Sequence, residues 1–163
     1  MRLPKPMSRP PAPLEPLELH APDVLAAASG ETLVLWPSEA PHRVLSGAVT
    51  RVEHAPNDDA LTVAMLGDTP GCYDTVVSIG QLGTTADLHG LVAAIRELLE
   101  PSSVLLFCEP TIADDRARPG PPNDVTGALW RGGLTVFECR RYRARHRLRT
   151  HEYCWGRARL TPA

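Results

Sequence analysis

The chain has 163 residues, enough for one domain of ordinary size and too few for two. With 43% hydrophobic and 22% charged residues it can bury a core, which excludes wholesale disorder. The net charge of -2 conceals a split: residues 31–130 carry fourteen acidic against five basic groups, and residues 131–163 carry nine arginines against Glu138 and Glu152. Such a split fits either one fold with a polarised strand pair or an acidic body with a basic arm.

No stretch approaches the roughly eighteen apolar residues of a membrane helix. Residues 1–16 have neither an apolar core nor a small-residue cleavage site, so a cytoplasmic protein with no membrane partner is expected. Cys72, Cys108, Cys139 and Cys154 are widely spaced and lie in or beside apolar stretches, unlike a disulfide framework.

In chain order, residues 1–16 hold six prolines and read as an extended, disordered leader, leaving residues 17–163 as the folded domain. Pro22 suits the first turn of a short helix over Asp23–Ala28, ended by Gly30. Thr32–Trp36 is an apolar run of strand length, of the kind buried on both faces. Val49–Glu53, Leu61–Leu66 and Asp74–Ile79 read as further strands, the last followed by a loop from Gly80 to Ala86. Asp87 can cap the next helix, along which Leu88, Leu91, Val92, Ile95, Leu98 and Leu99 recur at helical spacing until Pro101 stops it. Val104–Cys108 is a buried strand ending at Glu109-Pro110, and strand–helix–strand of this size is a parallel crossover. A loop over residues 110–123 and a short helix over Asp124–Trp130 follow. Leu134–Leu148 alternates, with Arg141, Arg143, Arg145, Arg147 and Arg149 to one side and Tyr142, Ala144, His146 and Leu148 to the other. Residues 152–160 complete an antiparallel pair, so the arginines read as the wet face of an edge strand. The fold class is α/β: a reduced, mostly parallel Rossmann-like sheet with an antiparallel C-terminal strand pair.

Three stretches carry a resemblance. Tyr73–Leu82 together with Leu91–Glu109, then Asn123-Asp124-Val125-Thr126, then His151–Ala158 are similar to signatures of class I S-adenosylmethionine-dependent methyltransferases, in their small-molecule branch. The resemblance covers about residues 31–160 and implies a mostly parallel sheet with an antiparallel last strand. It also implies S-adenosylmethionine as cofactor and a small molecule or lipid as methyl acceptor. Glu53 falls where the family places an acid that accepts hydrogen bonds from the ribose hydroxyls. Asp68 falls where an acid contacts the adenine amine, and Gly80 and Gln81 follow the strand whose carboxyl end borders the ligand. No catalytic residue is identified, since methyl transfer often needs little beyond placing the acceptor in line with the methyl.

The family's first strand ends in a glycine-rich turn that lets backbone approach the cofactor. The corresponding Trp36-Pro37-Ser38-Glu39-Ala40-Pro41 has no glycine. Only seven residues separate Glu53 from Leu61 and six separate Leu66 from Tyr73, where a helical crossover needs about a dozen. Two readings therefore stand: a methyltransferase, or a catalytically inactive scaffold or binding subunit of that fold, working as a homo-oligomer or with a partner protein. Nucleic acid is not an expected partner, because aromatics are 5% and no recognition module is present. Cys139, His146, His151 and Cys154 lack the paired spacing of a zinc knuckle, so no metal is assigned.

Overall fold

The computed structural model describes residues 17, 23–24, 26–35, 49–54, 73–112 and 122–163. The elements are β1 (Gly30–Leu35), β2 (Val49–His54), β3 (Tyr73–Ile79), α1 (Gln81–Thr84), α2 (Leu88–Leu98), β4 (Leu99–Pro110), α3 (Val125–Arg131), β5 (Leu134–His146) and β6 (Arg149–Leu160). The leader, the Leu61–Leu66 strand, the Trp36–Pro41 turn and residues 113–121 lie outside the described residues.

The described strands form one six-stranded sheet in the order β2-β1-β3-β4-β6-β5. β1 pairs in parallel with β2 on one side and β3 on the other, and β3 pairs in parallel with β4. β6 lies antiparallel between β4 and β5. This is the mixed sheet expected from the sequence, with the C-terminal pair closing it.

The central strands are apolar on both faces because both faces are covered. Leu33, Leu35, Val76, Leu105 and Phe107 pack with Leu91, Ile95 and Leu98 of α2 and with Val125 and Leu129 of α3. On the opposite face Val34, Val77, Ile79, Leu106 and Cys108 meet Leu17, Val24 and Ala28 from the N-terminal segment and the ring of Tyr153. Tyr142 stacks on Tyr153 at 5.3 Å between ring centroids, closing that face across β5 and β6.

Asp87 caps α2 as expected, its carboxylate accepting from Gly90 N at 3.0 Å. The end of α2 differs from expectation. Pro101 lies inside β4, and the helix stops at Leu98. A residue before proline is pushed towards extended backbone, so the turn is complete before the ring arrives. Ser103 stabilises it, accepting from Glu100 N at 3.0 Å and donating to Tyr73 O at 2.8 Å. A second difference concerns the β5–β6 turn. Arg147 and Leu148 occupy that turn, so the alternating face ends at His146 and Leu148 is exposed.

Candidate functional site

The chain passes from β1 to β2 on one flank and then places β3 on the other. In open α/β sheets such a switch point opens a crevice at the carboxyl ends of the strands, and ligands bind there. Here that edge is formed by the ends of β1 at Leu35, β2 at His54 and β3 at Ile79.

Glu53 is the penultimate residue of β2, in register with Leu33 of β1, so its backbone stands at this edge. Gly80 follows β3 directly. Its N–H donates to Cys108 O at 3.0 Å, and its φ of +76° then turns the chain out of the sheet, a conformation that favours glycine. Glu53 and Gly80 are thus brought to one edge. Gln81 opens α1 and is enclosed, 5% exposed. Asp68 lies outside the described residues, as does Cys72.

The expected loop from Gly80 to Ala86 contains the one-turn helix α1. Four residues cannot hold a helix by their own bonds. The missing partners come from elsewhere, and Glu109 is the main one. It is fully buried at the end of β4. Its Oε1 accepts from Ser78 Oγ at 2.5 Å and its Oε2 from Gly83 N at 2.9 Å. Ser78 Oγ in turn accepts from Leu82 N at 3.4 Å. Burial pushes the Glu109 carboxyl up to about 7, against the downward pull of Ser78 and of the Gly83, Leu82 and Gly80 backbone N–H groups. The far side of α1 is held by Asn123, whose amide donates to Leu82 O at 2.8 Å and Thr85 O at 2.9 Å. Close packing completes the clamp: a Cβ on Gly83 would stand 2.1 Å from Pro110 O.

Sequence reasoning treats Glu109 as a strand ending and Asn123 as part of a signature. Their shared duty of fixing α1 beside the carboxyl edge of the sheet appears only in three dimensions. A signal was present, since Glu109-Pro110 and Asn123 both belong to the stretches that carry the resemblance.

Asp124 caps α3 by accepting from Gly127 N at 3.1 Å. Arg141 in β5 donates to Thr126 Oγ1 at 3.3 Å, tying the edge strand to that helix. No group of three or more His, Cys, Asp or Glu among the described residues could hold a metal ion. No described helix is long and apolar enough to cross a membrane.

No protein-family model matches the chain, and no curated protein matches it. Solved structures do. The chain is similar to 1,6-didemethyltoxoflavin-N1-methyltransferase from Burkholderia thailandensis, solved with 1,6-didemethyltoxoflavin and S-adenosylhomocysteine bound. The TM-score is 0.65 at 13% identity, covering 90% of this chain and 79% of that one. The DhpI–SAH complex matches with a TM-score of 0.58 at 19% identity, covering 92% of this chain and 87% of that one. The [4+2]-cyclase SpnF matches with a TM-score of 0.63 at 10% identity, covering 91% and 81%. At such identities the likeness is one of fold, and a cyclase among the matches shows that the fold alone does not name a reaction. The strand order, the antiparallel closing pair and these matches together give the chain the Rossmann-like fold of class I S-adenosylmethionine-dependent methyltransferases.

Proposed function

We propose that the chain binds S-adenosylmethionine at the carboxyl edge of β1 and β3 and transfers its methyl group to a small molecule or lipid. The observation that carries this reading is the juxtaposition of Glu53 and Gly80 at the switch point of a methyltransferase-type sheet. The residues present suit the cofactor: an acid at the end of β2 for ribose hydroxyls, and a residue without a Cβ at the end of β3, where backbone must come close. When bound, the cofactor supplies an electrophilic methyl group on a sulfonium.

Glu53 accepts hydrogen bonds from the two ribose hydroxyls, with Asp68 receiving the adenine amine. Gly80 offers its backbone, and Gln81 contributes to the wall behind it. Glu109 and Asn123 act as positioning residues: by holding α1 they fix Gly80 and Gln81 and leave little to reorganise when ligand enters. Glu109 itself is committed to Ser78 and Gly83.

A second reading is favoured by one observation. Residues 36–41 contain no glycine and two prolines, so the turn that cradles the cofactor in the family is not reproduced in the sequence. On that reading the chain is a binding or scaffold subunit, paired with itself or with a partner protein.

Calorimetric titration with S-adenosylmethionine and S-adenosylhomocysteine separates the two. Micromolar binding that is lost in Glu53→Ala supports the enzyme. Absence of heat up to millimolar ligand overturns it and leaves the scaffold.

A further inference from the structure

The β5–β6 hairpin outruns the sheet. β4 pairs with β6 from Leu105–Ala158 to Pro110–Tyr153, and Thr111 N adds one bond to Glu152 O at 3.0 Å. Beyond that point β5 and β6 pair only with each other, through Ala144–His151, Arg145–Thr150 and His146–Arg149. The two-stranded ribbon therefore projects past the end of β4, at the same carboxyl edge that carries Gly80.

The ribbon is charged with one sign. From Ala144 to His151 there is no acidic residue, and Glu152 is engaged by Arg143 Nη2 at 3.0 Å. Arg145, Arg147 and Arg149 are exposed, and no described acid pairs with them. Among them stands Leu148, 90% exposed, the most exposed large apolar side chain among the described residues. Arg147 holds φ +55°, which no other described non-glycine residue does with a positive sign. Two-residue hairpin turns usually give that place to glycine or asparagine. An arginine kept there at conformational cost points to a use for the tip.

We propose that this ribbon docks on an anionic lipid surface, Leu148 entering the acyl boundary while Arg145, Arg147 and Arg149 engage lipid phosphates. Guanidinium groups grip phosphate oxygens bidentately, and each basic residue near an anionic bilayer adds to binding. One leucine supplies the apolar contact that a polyanion in solution could not use. Nucleic acid would engage the arginines but leave Leu148 in water, and no Phe, Tyr or Trp lies between Ala144 and His151 to stack on bases. The docking stands whether or not the cofactor binds, because no residue of the ribbon belongs to that site.

Sedimentation of the full chain with phosphatidylcholine vesicles, with and without phosphatidylglycerol, tests this. Binding is expected only with phosphatidylglycerol and should weaken as salt rises. Leu148→Ser should weaken it about tenfold at unchanged charge. The triple variant Arg145→Gln, Arg147→Asn and Arg149→Gln should lose about fivefold per arginine, the asparagine suiting the left-handed turn. Near-ultraviolet circular dichroism checks that both variants keep the wild-type fold. No partition onto phosphatidylglycerol vesicles at low salt overturns the proposal, as does full binding by Leu148→Ser. Tighter binding to an RNA or DNA oligonucleotide than to vesicles, indifferent to Leu148→Ser, overturns it in favour of nucleic acid.

Discussion

Ser78 and Glu109 share a hydrogen bond across neighbouring parallel strands, and neither side chain touches solvent. An acid buried this deeply is kept in place by the donors around it, so its ionisation is linked to folding. The carboxyl gives up its proton near pH 7 in the fold and near 4.5 as an ordinary glutamate. Between those values the folded chain holds the extra proton, so stability falls as pH rises from about 4.5 through about 7. This group contributes no slope on either side of that window. The loss amounts to roughly 3 kcal/mol across the window. Urea unfolding of wild type and Glu109→Gln at a series of pH values should show the difference between them changing by that amount. A difference independent of pH would contradict the linkage.

Gly83 is held against β4 more closely than any side chain allows, with a Cβ placed 2.1 Å from Pro110 O. Gly83→Ala should lower stability by about 2 to 3 kcal/mol, because backbone must move to admit the methyl. Denaturant midpoints at fixed pH measure it. A loss below about half a kcal/mol would mean that α1 yields without strain.

Asn123 supplies two donors to carbonyls that a one-turn helix cannot satisfy itself. Asn123→Ala should cost about 1 to 3 kcal/mol and should weaken binding of S-adenosylhomocysteine if α1 borders its site. Asn123→Asp should rescue neither effect, since a carboxylate cannot donate to Leu82 O and Thr85 O. Thermal melts with and without ligand read both quantities.

Three described thiols should differ in reactivity. Cys139 is exposed, and its thiol is lowered to about 7 by a hydrogen bond from Cys154 and by the nearby Arg141. Burial pushes the Cys108 thiol up to about 12, and Cys154 is raised by its hydrogen bond to Cys139 and by burial. Alkylation of the native protein should therefore label Cys139 first, with a rate midpoint near pH 7. Cys154→Ala removes the hydrogen bond to the thiolate and should move that midpoint upward. Mass mapping of the labelled peptides decides it.

Periodicity made the scaffold legible. Leu88 to Leu98 repeat as a helix, Val104 to Cys108 read as a strand covered on both faces, and the arginines of β5 alternate as an edge strand should. What escaped were features made by distant partners. Four residues of α1 carry no period, and its helix exists because Glu109 and Asn123, 26 and 41 residues from their bonded partners Gly83 and Leu82, reach it. Alternation groups Leu148 with Tyr142, Ala144 and His146, because it says nothing about where a strand turns. The left-handed Arg147 moved it to the tip. At the candidate site, the resemblance located the edge, and the register of β1 with β2 set Glu53 there. The hydrogen bonds that fix α1 left no mark in the pattern.

The position of β1 between β2 and β3 also dictates an order of events during synthesis. β1 emerges first, and β2 follows soon after, but Leu33 pairs with Val76 of β3, more than forty residues downstream. Until β3 leaves the ribosome, β1 and β2 can form only a lone two-stranded ribbon, which is marginal in water. The β5–β6 hairpin needs only local contacts and closes quickly once made. β1 and β2 must therefore wait for β3. A nascent chain stalled after β2 would expose its most apolar strand, making it a client for chaperones at the point where the carboxyl edge of the sheet is still half built.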